Sequence, residues 1–286
     1  MLRLLRPKQW TKNLLLFAAL VFAEELFHPA AFVTACFAFV AFCLASSSIY
    51  VVNDLVDVER DRLHPDKRHR PIASGEVSKA MAAALAAVLS AGALGLAFWI
   101  GHGFGLAVVV YMVLSHFYSL AGKNVVILDV LLIAIGFVLR AVSGAIAIDV
   151  PYSDWFVLCT LFVALFIALS KRKAELLASR DAGGSRPVLM KYSESTLTAF
   201  TGTSMAAAVI SYSLYVQDIL AESGGELRPL ILTVPFVIIS IFRYHLLVEK
   251  EGLGEKPEEI LLSDRPLQLS MLGFVLVAIA AFYLGG

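Results

Sequence analysis

Long stretches without a charged residue recur along nearly the whole chain. Each approaches the roughly 20 residues that an α-helix needs to cross a hydrocarbon core of about 30 Å. Nine such segments stand out, at about 13–28, 30–52, 78–101, 104–121, 125–148, 153–171, 195–219, 229–248 and 266–285. They are too long and too continuous for barrel strands, and lipid tolerates only helices and closed barrels. The pattern predicts an all-α, polytopic membrane protein of nine helices, forming one integral-membrane domain over residues 1–286. Apolar residues cover all sides of these helices, so periodicity does not separate lipid-facing from bundle-facing sides.

Composition agrees with this reading. Hydrophobic residues make up 59% of the 286 residues and the mean hydropathy is +0.81. Charged residues make up 16%, against roughly 25% in a soluble domain. The N-terminal MLRLLRPKQWTKN is basic, and the apolar run after it ends in EELFHPA, which lacks a small-residue cleavage site. A retained first helix is therefore expected rather than a signal peptide. Cys36, Cys43 and Cys159 lie inside apolar runs and read as small packed hydrophobes. The histidines are scattered and form no metal-ligand spacing.

The net charge is zero, so its distribution carries the information. With the N-terminus inside, the segments 1–12, 53–77, 122–124, 172–194 and 249–265 become cytoplasmic. Nearly every Lys and Arg then falls on that side, and the outer loops keep Arg228. The large loops are cytoplasmic too, and loops on a rigid scaffold carry function. The expected location is a multi-pass cell-membrane protein with its chemistry facing the cytoplasm. No internal repeat is visible, and DAGGSRP (181–187) reads as a flexible turn.

The most informative stretch is NDLVDVERDRLHPDKRHRPIASGEVS (53–78). Asn53, Asp54, Asp57 and Asp61 fall within an arc of roughly 100° on a helix. Gathered carboxylates repel one another unless a cation neutralises them. Oxygen-only ligands suit a hard ion, and Mg²⁺ is usually shared with substrate phosphates. Lys67, Arg68 and Arg70 follow at once, and carboxylate–metal plus Arg/Lys clamps suit a diphosphate leaving group. The plainer alternative is a solvated interfacial loop whose charges pair with each other and with lipid headgroups.

N-D-x-x-D-x-x-x-D at the second span of a nine-helix chain resembles the UbiA superfamily of intramembrane prenyltransferases. That resemblance implies a motif binding Mg²⁺ and a diphosphate. RPKQWTKN (6–13), DKRHRPIASG (66–75), YSLAGKNVVILDV (118–130), LRAVSGA (139–145), SKRKAEL (170–176) and RYHLLVEKEGLGEKPEEILLSDRPLQ (243–268) are similar to its decaprenyl-phosphate phosphoribosyltransferase branch. The resemblance implies transfer of 5-phosphoribose from phosphoribosyl diphosphate to a polyprenyl phosphate, feeding arabinose donors for cell-wall polysaccharide. It implies no nucleic-acid partner and leaves a homo-oligomer open.

The resemblance places Asp57, Asp61 and Lys67 in the catalytic step and Asn53, Asp54, Asp57 and Asp61 at the metal. Lys12, Asn13, Arg68, Arg70, Tyr118, Lys123, Asp129, Arg140, Lys171, Arg172, Lys173 and Glu175 are the candidate substrate contacts. A second D-x-x-x-D pair is incomplete at the fourth-to-fifth junction, where Asp129 has Ile133 four residues on. Tyr118, Ser119 and Lys123 stand nearby, and a lone Lys suits a phosphate better than a second Mg²⁺. Lys123 is otherwise a topology-setting charge. Arg140 lies well inside the fifth span, where a charge costs at least ~2.5 kcal/mol. It either receives the lipid phosphate or pairs with a neighbouring acid. Lys171, Arg172 and Lys173 either anchor a helix end or hold the sugar 5-phosphate. Snorkelling is the easier account of Arg243 beside Tyr244. Only resemblance involves Asp264 and Arg265. An aromatic prenyltransferase remains the main rival, and a transporter the rival from another class.

Overall fold

A computed structural model describes residues 2–63, 67–182, 188–251, 260 and 263–284. Every regular element among them is helical. The eight long helices are α1 (Pro29–Val56), α2 (Lys79–Ile100), α3 (His102–Leu120), α4 (Leu128–Ala147), α5 (Asp154–Ala182), α6 (Glu194–Glu222), α7 (Thr233–Glu251) and α8 (Arg265–Leu284). All eight coincide with apolar runs of the sequence, and all are long and apolar enough to cross a membrane. Bulky apolar side chains such as Trp99, Leu106, Val113, Ile210 and Leu276 stand exposed on them, as a lipid-facing surface requires.

The first apolar run differs from expectation. It forms a 3₁₀ stretch, Pro7–Phe17, a short α-turn, Ala18–Phe22, and turns through Glu24, whose φ is +60°. Side-chain bonds tie this segment to α1. Trp10 Nε1 donates to Ser47 Oγ (3.1 Å), and Asn13 Nδ2 lies 3.4 Å from Ser46 Oγ. The other difference is α5, which continues past its apolar run through Lys171–Glu175 and carries those charges on a helix. Most of the DAGGSRP turn lies outside the described residues.

The chain divides into two compact units. The first holds residues 1–120 and 139–151. Its core joins Ala38, Ala41, Phe42, Ala45 and Ile49 of α1 to Ala93 and Ala97 of α2 and to Phe104, Val108 and Tyr111 of α3. Alanines let two backbones come close, which is how helices associate where no hydrophobic effect drives them together. Ser48 Oγ adds polar bonds across α1 and α2, to Ala86 O (3.0 Å) and Ser90 Oγ (2.6 Å). The second unit holds 121–138 and 152–286. Here α5 packs along α6 and α7 along α8. Tyr212 OH meets Thr233 Oγ1 at 2.6 Å, and Ser240 Oγ donates to Ser270 Oγ at 3.0 Å.

Among the described glycines, the tightest approach to a neighbouring backbone is at Gly144 of α4. A Cβ there would stand 2.1 Å from the carbonyl oxygen of Leu16. Gly144→Ala therefore forces a backbone shift, and we expect it to lower stability by about 1–3 kcal/mol. Gly95→Ala, at a position with nothing within 4 Å of its Cβ, leaves stability unchanged or raised. Thermal unfolding of both variants in detergent checks this; equal melting temperatures would contradict the close contact.

Candidate functional site

In the first unit, α1 ends at Val56 and the chain restarts as a short helix, Val58–Leu63. The motif straddles this break without losing its row. Asp57 N donates to Asn53 O (2.9 Å) and Asp61 N to Asp57 O (2.8 Å), so Asn53, Asp57 and Asp61 keep four-residue spacing along one side. Asp54 and Asp61 are buried, at 4% and 2% exposure, and one guanidinium answers both. Arg70 Nη1 reaches Asp54 Oδ1 at 3.0 Å and Asp61 Oδ2 at 2.7 Å. Arg6 Nη2 also donates to Asp54 Oδ1, at 2.6 Å, while its guanidinium lies 4.8 Å from the centroid of the Tyr50 ring. Both hydrogen bonds of Arg70 leave from Nη1, so Nε and Nη2 keep donor capacity among the described residues.

The cationic segment after the motif is a 3₁₀ turn, Lys67–His69. Lys67 is partly buried and Arg68 exposed, with Arg68 Nε 3.3 Å from His69 Nε2. The turn is braced from behind. Arg62 Nε donates to Ala73 O (3.2 Å), and Glu59 pairs with both Arg62 (3.2 Å) and Lys79 (3.0 Å). Lys79 first, then Arg62, hold the Glu59 carboxyl below its ordinary range.

Among the described residues, no three His, Cys, Asp or Glu side chains form a metal cage on their own. Mg²⁺ does not ask for one, since it typically takes one or two carboxylates and completes its shell with phosphate and water. The row Asn53, Asp57 and Asp61 is an oxygen-only donor set of that kind.

Deeper in the same unit, Arg140 is buried. Its Nε donates to Asn13 Oδ1 (2.9 Å) and its Nη2 to Tyr111 OH (2.6 Å), with the guanidinium 4.7 Å from the centroid of the Tyr111 ring. The structure thus joins Asn13 to Arg140. Lys12 lies on the Pro7–Phe17 stretch and Tyr118 in the last turn of α3, both partly buried.

The second unit holds a separate charge cluster. Arg172 of α5, 2% exposed, donates through Nε to Asp129 Oδ2 (2.7 Å) and through Nη1 to Glu175 Oε2 (2.6 Å). Tyr192 OH donates to Asp129 Oδ1 (2.7 Å) and accepts from Ile127 N (2.6 Å). Burial pushes the Tyr192 phenol up to about 12, against the pull of the Ile127 N–H and with a further push from Asp129. Ile127 has φ +69°. For a β-branched residue that left-handed conformation costs about 1–3 kcal/mol. Lys123 sits in the 3₁₀ turn Gly122–Asn124 just before it, partly buried, as is Lys171 on α5.

Lys173, buried, pairs with Glu249 of α7 (2.6 Å). Arg243 pairs with Asp264 (2.7 Å) rather than simply snorkelling, and Asp264 also accepts from Leu267 N (2.8 Å) at the start of α8. The Arg243 hydrogen bond holds the Asp264 carboxyl below its usual range. Arg6, Tyr111, Tyr192 and Glu249 were not among the sequence candidates. Tyr111 stands seven residues before Tyr118 on one helix face, a signal that was available. Tyr192 follows a loop with no pattern, and nothing in the sequence marks it.

Eight helices long and apolar enough to cross a membrane, with a row of oxygen donors where the first of them ends, define a polytopic membrane protein. Residues 14–259 match the UbiA prenyltransferase family, and the chain belongs to it. It is 37% identical to a decaprenyl-phosphate phosphoribosyltransferase of Mycolicibacterium smegmatis, over 99% of this chain and 92% of that protein. Identity to a protein of the same name from Corynebacterium glutamicum is 39%, over 99% and 87%. The fold is shared with a UbiA homologue from Archaeoglobus fulgidus bound to DMAPP and Mg²⁺, at a TM-score of 0.73, 22% identity and 98% coverage of each chain.

Two stability predictions follow from these pairs. Arg172→Leu leaves two carboxylates without their cation and lowers stability by about 3–5 kcal/mol. Lys79→Ala, which breaks an exposed, solvent-screened pair, has a much smaller effect. Detergent-based unfolding separates the two, and equal small losses would contradict the burial of Arg172. Asp264 has its pKa depressed in the folded state, so its contribution is present above the ordinary carboxylate pKa and lost as pH falls through the lower folded value. The stability gap between wild type and Asp264→Asn should therefore close on acidification, as unfolding at pH 7 and below pH 4 would show.

Proposed function

We propose that this chain is a transferase that moves 5-phosphoribose from phosphoribosyl diphosphate to a polyprenyl phosphate, decaprenyl phosphate in the first instance, releasing diphosphate. The observation that carries the reading is Arg70, clamped through one nitrogen by the buried carboxylates of Asp54 and Asp61 and keeping further N–H donors at the acidic motif. A guanidinium held in that way offers a pre-oriented fork to a phosphate. The relatives' shared name, decaprenyl-phosphate phosphoribosyltransferase, supports a phosphoribosyl donor and a decaprenyl-phosphate acceptor.

Asn53, Asp57 and Asp61 would hold Mg²⁺. Bound there with the donor, the ion would neutralise charge on the diphosphate leaving group. Asp54, whose Oδ1 accepts from both Arg6 and Arg70, orients those two cations and has Oδ2 left to ligate the ion or orient another ligand. Arg70, Lys67 and Arg68 stabilise the departing diphosphate. Lys123 receives the phosphate of the lipid acceptor. Arg140, with Asn13 and Tyr111 fixing its plane, is a separate candidate cation for a phosphate. In the step itself, an acceptor phosphate oxygen forms a bond to C1 of the ribose while the bond from C1 to the diphosphate oxygen breaks. The diphosphate leaves with that electron pair. A phosphate monoester is already anionic near neutral pH, so no general base is needed. The residues contribute position and charge.

The same reading treats the chain as one membrane domain with nine crossings, a cytoplasmic N-terminus and a catalytic face in the cytoplasm, in a cell that builds arabinose-containing wall polysaccharide. The ninth crossing of this reading is the first apolar run, 13–28, which begins in the 3₁₀ stretch Pro7–Phe17 and continues through Ala18–Phe22.

Asp57→Asn and Asp61→Asn should each abolish transfer of labelled phosphoribose to decaprenyl phosphate, with the protein still folded. Chelation should stop the wild-type enzyme and Mg²⁺ restore it. Full activity in either variant would remove the metal role. Product formed from a labelled prenyl diphosphate instead would overturn the donor.

A further inference from the structure

The strained residue Ile127 and the side chain that holds it lie outside everything the reaction above uses. Its φ of +69° is a conformation that a β-branched residue rarely adopts, and the residue is 53% exposed, so it is not locked in a packed core. Its carbonyl accepts from Val130 N (3.2 Å) and Leu131 N (2.9 Å) at the start of α4, and its N–H donates to Tyr192 OH at 2.6 Å, the one side-chain bond on it among the described residues. That hydroxyl is fixed in turn by Asp129 (2.7 Å), and Asp129 by Arg172 (2.7 Å). Asp129 is 0% exposed, so the relay has a buried, immobile base. Tyr192 is itself buried in a cluster with Val126, Val130 and Leu169. Four residues before Ile127 stands Lys123, in a turn that leads straight into the strained segment. Val125 N bonds Gly122 O, and Asp129 N bonds Val125 O, so the turn, the strained residue and the first turn of α4 form one hydrogen-bonded run.

We propose that Tyr192 is a positioning residue, which holds Ile127 in the left-handed conformation and thereby aims the Lys123 turn at the phosphate of the lipid acceptor. The inference rests on the role given to Lys123 above. A tyrosine suits the task because its hydroxyl both donates to the carboxylate and accepts from the backbone N–H. Phenylalanine would keep the packing and lose both bonds.

The test is steady-state kinetics with decaprenyl phosphate as the varied substrate, together with hydrogen exchange over residues 121–127. Tyr192→Phe should raise KM for the acceptor about tenfold, the equivalent of about 1.4 kcal/mol, leave kcat within about twofold, and speed exchange in the turn. Adding Ile127→Gly should restore KM, because glycine adopts positive φ without steric cost. In a Lys123→Ala background, Tyr192→Phe should add nothing. If Tyr192→Phe fails to accumulate, Ile127→Pro removes the same N–H and forbids positive φ without touching Tyr192, and should raise KM alike. Unchanged exchange in the turn, or a lowered melting temperature with unchanged KM, overturns the positioning role while Lys123 keeps its own. If Lys123→Ala leaves KM unchanged, the acceptor assignment falls and this inference falls with it.

Discussion

A charge drawn into the end of a membrane helix must find its counter-charge within hydrogen-bonding distance, and the polar architecture of this chain follows from that requirement. Desolvating an ion costs several kcal/mol, and only well-formed partners repay it. Asp54 and Asp61 are repaid by Arg70 and Arg6, Asp129 and Glu175 by Arg172, and Lys173 by Glu249. Such pairs add little net stability over apolar side chains of the same size. They do specify which helix faces meet, because a shifted register would strand a buried charge.

The second constraint is close backbone approach. Alanine faces on α1 and α2 and the absent side chain of Gly144 let segments come near enough for serine hydroxyls to bond across them. The Ser46–Ser48 triplet shows this. Ser46 faces Asn13, Ser47 faces Trp10 and Leu5 O, and Ser48 faces α2. Three neighbouring hydroxyls thus bind partners on different sides of one helix. Asn13, held there, is also the acceptor that orients Arg140. A packing detail of α1 thereby reaches a buried guanidinium.

The long helices were legible because a membrane span is a property of composition over some twenty residues, and α1–α8 satisfy it without help from tertiary contacts. The first apolar run was not legible in its geometry, since its 3₁₀ form depends on bonds to Ser46 and Ser47 that no local pattern announces. The acidic motif and its following cations were legible as types and spacing. Which oxygen meets which nitrogen was not, because Arg6 lies 48 residues from Asp54 in sequence and meets it only through the fold. Arg172 and Lys173 looked alike as members of one basic triplet, yet one is bound to Asp129 and Glu175 and the other to Glu249. Long-range partners separate residues that composition treats as equals.

That separation bears on which cations serve a ligand. Arg172 donates to two carboxylates and is 2% exposed, so little of its guanidinium is open to an incoming group. Arg70 spends one nitrogen on two carboxylates, and its side chain is 29% exposed. It can meet a phosphate through its remaining N–H groups while the carboxylates still hold it. A guanidinium already fixed in place loses little conformational freedom on binding, and preorganisation of this kind raises affinity by lowering its entropic cost. The same carboxylates that hold Arg70 also prevent it from collapsing onto solvent, so one set of contacts both balances charge in the ligand-free fold and sets the geometry for an anion.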